Sequence, residues 1–126
     1  MENATADELY AQAAQQWREV VVLELHDAED LAYGIIPLLV QALALNPNHL
    51  PSLDLLSDLL MEIDACEEAI ESAEKMQDLA PDYSDIQKKL AALHSDEENQ
   101  RRQVRAYLRQ KRLQLTRTPP AAENGA

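Results

Sequence analysis

The side chains that could do chemistry are few in this sequence and lie far apart. None of the three histidines, His26, His49 and His94, belongs to an HExxH-like or Cys/His motif. Cys66 directly precedes two glutamates, whose charges raise the pKa of the thiol and so disfavour a reactive thiolate. The chain has only 2 glycines, and neither lies in a phosphate-binding loop. The sequence therefore predicts a protein that is not an enzyme and that holds no cofactor and no metal.

Three carboxylates have a regular spacing. Asp54, Asp58 and Glu62 recur every four residues, which on a helix places them on one face, with Met61 beside them. Two interpretations remain open. The three carboxylates form a solvated helix face, or they line a surface that binds a ligand rich in Lys or Arg.

The charge is divided unevenly between two parts of the chain. The formal net charge is −12 over 126 residues. Residues 1–87 carry 19 acids and 2 bases, whereas residues 88–126 carry 4 acids and 9 bases. An acidic body is therefore followed by a basic segment. The basic side chains crowd one predicted helix: Arg101, Arg102, Arg105, Arg109, Lys111 and Arg112.

This basic helix has three interpretations. It caps the end of the fold, with long Arg stems covering apolar surface while their charged groups stay hydrated. Alternatively, it docks against an acidic groove, in its own chain or in a neighbouring copy. The third interpretation is contact with the phosphates of nucleic acid or of a membrane surface. The negative charge of residues 1–87 opposes DNA, so nucleic acid is the least favoured partner.

The apolar spacing predicts an all-α protein of one domain, residues 1–115. Hydrophobic residues make up 46% of the chain, enough for a packed core. Thr5 and Glu8 fit a capping box at the first helix, whereas Gly34 and Pro37 predict a kink or a break in the second. Residues 116–126 are expected to be a disordered tail. The predicted helices cover residues 5–25, 28–45, 52–63, 67–79, 84–94 and 96–115.

The sequence also predicts a cytoplasmic protein without a membrane span. Its start is acidic and polar, unlike a secretory signal. The longest apolar stretch, residues 32–40, falls short of the ~20 residues that cross a bilayer and contains Pro37. One cysteine cannot form an internal disulfide.

Two helices end in similar proline turns, at Asn46–Asn48 and Ala80–Asp82. Pro47 and Pro81 are 34 residues apart, and two predicted helices lie between them. This period resembles the tetratricopeptide repeat family. Between residues 50 and 83 the positions typical of that family hold Leu56, Ala69 and Pro81, whereas the flanking units match less well. The resemblance implies two to three degenerate repeats, stacked as a short right-handed superhelix with a C-terminal capping helix.

The resemblance also implies a function, because the first helices of such repeats line a concave groove. We expect a non-catalytic adaptor or chaperone-like module that binds a basic or amphipathic segment of a partner protein in an acidic groove. Replacing Asp54 and Asp58 by Lys should then weaken binding without loss of helix. Alternatives are a nucleic-acid-associated regulator and a structural subunit that self-assembles through its basic helix. The expected partner-binding residues are Trp17, Val20, Glu24, Asp54, Asp58, Met61, Glu62 and Lys88.

Overall fold

The computed structural model describes residues 4–83 and 85–117, which form six helices and no strand. The all-α class expected from the sequence is confirmed. None of the helices in these two ranges is both long enough and apolar enough to cross a membrane. The helices are α1 (Ala6–Val22), α2 (Glu29–Leu45), α3 (Leu50–Glu62), α4 (Cys66–Leu79), α5 (Ile86–Leu93) and α6 (Glu97–Arg117).

Helices α1 and α3 end with the same hydrogen-bonded turn. After α1, the Leu25 N–H donates to the Val20 carbonyl at 2.8 Å, and Glu24 adopts a left-handed φ of 58°. After α3, Asp64 takes the same role with a φ of 65°. These turns satisfy carbonyls that each helix end would otherwise leave unpaired. Because of this turn α1 stops at Val22, before the expected residue 25.

Helix α2 continues through Pro37 without a break. A proline inside a helix removes one N–H donor and frees the carbonyl four residues earlier, here that of Tyr33. Both residues are exposed, so water can solvate that carbonyl. At the other end of the chain, Thr116 and Arg117 were expected in a disordered tail, but they complete the last turn of α6. Residues 118–126 lie outside the described ranges.

Helix α3 belongs to both hydrophobic cores of the protein. The first core joins α1 and α2 around Trp17 and Leu39, and α3 contributes Leu59 to it. The second core joins α4, α5 and α6, and α3 contributes Leu53 and Met61. Because two faces of α3 pack into the two cores, the orientation of its third face is determined as well.

Successive helices pack against one another along the chain, and α6 also contacts α1 and α3. Sequential packing of helix pairs is what a helical-repeat architecture requires. The right-handed superhelix implied by the tetratricopeptide resemblance stays a prediction. The helix expected to cap the stack therefore does more than cover α5, because it also lies against the first helices of the two earlier pairs.

His49 holds the start of α3 against the start of α1. Its Nδ1 lies 2.7 Å from the Ser52 hydroxyl, and its Nε2 lies 2.6 Å from Asp7 Oδ1. The ring also meets Tyr10 edge-on, with 5.8 Å between ring centroids. His49 and Ser52 are buried, so their hydrogen bond satisfies polar groups that water does not reach.

Candidate functional site

The remaining face of α3 carries the three regularly spaced carboxylates, and we call this surface (Asp54, Asp58 and Glu62) the acidic face. It is covered by basic side chains of α5 and α6. Asp58 is buried, and Asp54 and Glu62 keep only a minor part of their side chains exposed. The acidic face is therefore neither a solvated helix face nor an open groove.

Lys89 of α5 reaches the acidic face from inside the protein. Its side chain is fully buried, and its Nζ lies 2.6 Å from Asp54 Oδ1 and 2.9 Å from Asp58 Oδ1. The ammonium also donates hydrogen bonds to the Ser57 hydroxyl and to the Asp54 carbonyl. A buried ammonium needs this many partners because removing it from water is costly.

Lys111 of α6 reaches the same two carboxylates from the other side. Its Nζ lies 3.0 Å from Asp54 Oδ2 and 3.2 Å from Asp58 Oδ2. Two lysines and two aspartates thus form a four-charge cluster (Asp54, Asp58, Lys89 and Lys111) with no net charge. The cluster joins α3, α5 and α6.

Glu62, one turn further along α3, binds the next residue of α6. Arg112 Nη1 donates a hydrogen bond to Glu62 Oε2. The half-buried Leu115 follows in the next turn of α6 and packs against the first core. One short stretch of α6 therefore presents two cations to the acidic face and an apolar side chain to the core beside it.

The ring of Tyr107 lies close to both lysines. The distances from its centroid are 5.8 Å to Lys89 Nζ and 5.7 Å to Lys111 Nζ, which is within the range for a cation–π contact. Burial, and then the charge of Asp58, raises the pKa of Tyr107 above its usual value. The buried hydroxyl has no hydrogen-bond partner among the described residues. Tyr107 thus acts as an apolar wall of the four-charge cluster.

The two aspartates of the cluster differ in their pKa shifts. Burial raises the pKa of Asp54, but the charges of Lys89 and Lys111 outweigh it, and the pKa is lowered overall. The more deeply buried Asp58 has a raised pKa, because burial outweighs the attraction of Lys89. Burial also raises the pKa of Glu62 despite Arg112. The pKa of Lys111 is raised, since the two aspartates outweigh its own burial.

A small cavity of 240 Å³ remains between α1, α3 and α6. Trp17, Leu55 and Leu115 are among its apolar lining residues, and the carboxylates of the acidic face lie at its edge. Lys111 and Arg112 already pair with these carboxylates, so a second helix cannot pair with them while α6 stays in place.

Several residues expected to bind a partner lie elsewhere. Trp17 and Val20 are core residues between α1 and α2, and Met61 is a core residue between α3 and its neighbours. Glu24 is not on a helix face but in the turn that ends α1. Lys88 is exposed and lines a groove of 580 Å³ between α5 and α6. Of the expected set, the structure brings Asp54, Asp58 and Glu62 together on one face, and Trp17 reaches them only as a lining residue of the adjoining cavity.

The basic side chains of α6 point in two directions. Lys111 and Arg112 face the acidic face, and Arg101 lies 3.5 Å from Asp64 in a pair that is mostly solvated. The others are exposed and belong to the outer surface: Arg102, Arg105 and Arg109. Of the three interpretations of this helix, the structure contains the contact between α6 and the acidic surface of its own chain.

Lys89 was not among the residues expected to bind a partner. Its position carries a signal, since it follows Ile86 by three residues and precedes Leu93 by four, and both are buried. That spacing places Lys89 on the apolar face of α5, whereas the adjacent Lys88 faces solvent. A lysine on a buried stripe indicates a paired carboxylate elsewhere in the fold.

Among the residues that the structure describes, the other reactive side chains do not assemble into a site. In residues 4–83 and 85–117 no three His, Cys, Asp or Glu side chains converge in a way that could hold a metal ion. The pKa of the Cys66 thiol is raised, mainly by burial and then by Asp64. Comparisons of the chain with protein-family models, with curated proteins and with solved structures gave no match.

Proposed function

We propose that the protein is a non-catalytic interaction module, adaptor or chaperone-like, whose acidic face binds a basic amphipathic helical segment of a partner protein. The supporting observation is that the chain binds such a segment itself. Lys111 and Arg112 of α6 pair with the acidic face while Leu115 packs beside them. The last turns of α6 are thus an internal example of the ligand.

The partner segment takes the place of these last turns, because Lys111 and Arg112 already pair with the carboxylates that the partner would bind. The end of α6 is held by its ion pairs and by the half-buried Leu115, without a fully buried side chain of its own. The buried residues of the helix all lie before Lys111 and are Val104, Tyr107 and Leu108. When the end lifts, three carboxylates face one lysine, Lys89, and the surface becomes acidic. That charge favours a ligand with Lys or Arg and repels acidic segments.

Nucleic acid fits this surface poorly. Arg105 and Arg109 line a groove of 520 Å³, but Asp27, Glu29 and Asp64 line it as well. Those carboxylates repel phosphates, so the arginines do not form an isolated basic surface.

The test uses a labelled peptide with the sequence of residues 104–117 and the full-length protein, with fluorescence anisotropy as the readout. The double variant Arg112→Ala/Leu115→Ala loosens the end of α6 without changing any residue of the four-charge cluster. It should bind the peptide at least about tenfold more tightly than the wild type, since the internal competitor is weakened. A scrambled peptide of the same composition controls for charge alone.

A further variant identifies the site. Adding Glu62→Gln to the loosened protein removes the partner of the arginine in the peptide and should weaken binding about tenfold, which corresponds to about 1.4 kcal/mol. The proposal is refuted if the loosened protein binds no more tightly than the wild type. Equal binding of the scrambled peptide, or no effect of Glu62→Gln, also refutes it.

A further inference from the structure

Helix α2 has an exposed apolar stripe, formed by Tyr33, Pro37, Val40 and Ala44. Their spacing places all four within about 60° around the helix axis. Tyr33 is 57% exposed and Val40 is 54% exposed. From Leu31 to Leu45 the helix contains no charged residue. Scattered exposed apolar residues are ordinary, whereas a continuous stripe on one helix is a candidate contact surface.

Helix α4, the second helix of the next pair, is an example of an outer helix of this chain that faces water. Helix α4 exposes charged residues along its outer side, as expected for a solvated amphipathic helix. These residues are Glu67, Glu68, Glu71, Glu74, Lys75 and Asp78. The two helices occupy corresponding places in consecutive pairs, so the lack of charge on α2 is a local property and not a feature of the whole protein.

We infer that the stripe of α2 binds the same stripe of a second copy, with the two helices antiparallel. In a two-fold contact the patch packs against a copy of itself, so a patch with an excess of acidic residues repels its copy. The chain has a net charge of −12, and the uncharged surface of α2 avoids this repulsion. A membrane is a poorer match, because interfacial helices carry Lys or Arg on their polar side, whereas Glu29 and Asp30 begin α2.

The antiparallel direction follows from residue size and charge. The centre of the stripe lies between Pro37 and Val40, so Tyr33 of one copy faces the small Ala44 of the other. The acidic helix starts at Glu29 then lie about 28 Å apart along the axis, at 1.5 Å per residue. That distance is well beyond the Debye length of about 8 Å at physiological ionic strength. A parallel pair would place the same carboxylates side by side.

The dimer should be weak and should tighten with salt. The stripe spans about 17 Å of helix, so each copy buries on the order of 300–400 Å², less than the about 800 Å² per partner of a stable interface. Repulsion between two acidic copies opposes association, and salt screens it. This salt dependence is opposite to that of an ionic contact through α6.

Sedimentation equilibrium of the full chain tests the inference. The average mass should rise with concentration from 14.2 kDa toward twice that value, with association at least about threefold tighter at about 1 M than at about 0.1 M salt. Val40→Glu places two like charges near the two-fold axis and should weaken association at least about tenfold. Gln12→Glu adds the same charge on exposed α1 and should change association less than about twofold.

Four results overturn the inference. They are a wild type that stays monomeric at all concentrations, a dimer unaffected by Val40→Glu, a dimer that dissociates as salt is added, and a monomer that co-sediments with phosphatidylcholine vesicles through Val40. The last result would assign the stripe to a membrane surface. None of the acidic-face residues lies on α2, so this test and the peptide test can fail independently.

Discussion

Replacing Lys89 by Met tests whether the four-charge cluster holds the fold together. Methionine has a similar length, so the change removes the charge and leaves little cavity. Asp54 and Asp58 would then share Lys111 as their cation, and the Ser57 hydroxyl and the Asp54 carbonyl would lose a donor. Breaking a buried ion pair by removing one partner costs about 3–5 kcal/mol. The expected loss of Tm is about 12–20 °C for a domain of this size.

Thermal and urea unfolding followed by circular dichroism measure this loss. The matched control is Lys88→Met on the same helix, which removes an exposed lysine and should change the free energy of unfolding by less than about 0.5 kcal/mol. If Lys89→Met is no more destabilising than Lys88→Met, Lys89 does not stabilise the fold and the reasoning is refuted.

A second substitution tests whether the charge imbalance is the cause. Adding Asp58→Asn to Lys89→Met removes one of the two carboxylates that compete for Lys111 and should recover about 1–2 kcal/mol. The variant Asp58→Asn alone should destabilise the protein, because Lys89 then keeps one carboxylate partner. Additive effects of the two substitutions would show that the residues are not coupled.

Two other predictions concern buried polar side chains. In the unfolded chain Tyr107 loses its proton near pH 10, whereas in the folded protein its raised pKa keeps it protonated at that pH. The free energy of unfolding should therefore decrease as pH rises above 10. Urea titrations at pH 7 and 11 should show a smaller decrease for Tyr107→Phe than for the wild type, and equal decreases would contradict this. His49→Ala should cost about 1–3 kcal/mol, because it leaves the buried Ser52 hydroxyl unpaired. The exposed His94→Ala is the control in the same thermal unfolding assay, and equal effects would contradict the role of His49.

The helices could be predicted from the sequence because their signals are local. The Thr5–Glu8 capping box is present as expected, with hydrogen bonds of 2.9 and 3.1 Å. The end of α1 was harder to predict, because Glu24 takes a left-handed φ that glycine usually supplies. Whether Pro37 breaks α2 depends on the exposure of the carbonyl that it frees, which local sequence does not determine.

The acidic face was visible in the sequence as a spacing, but its partners were not. Lys111 meets Asp54 across 57 positions, and no periodic pattern connects residues that far apart. The pairing of Asp54 and Asp58 with the two lysines also changes what is expected of the Asp54 and Asp58 substitutions. Replacing Asp54 and Asp58 by Lys would place three cations, the two new lysines and Lys111, around Lys89. Loss of folding is now the expected result, and Glu62 is the better position for a binding variant.

The charges of the four-charge cluster lie far apart along the chain, and this spacing affects the protein while it is being synthesised. The N-terminal part of a nascent protein leaves the ribosome first, so α3 emerges before the lysines of α5 and α6. Until those lysines arrive, Asp54, Asp58 and Glu62 remain hydrated, and residues 1–87 carry a net charge of −17. Incomplete chains therefore repel one another, which reduces aggregation on neighbouring ribosomes, and the surface is neutralised only when the last helix docks.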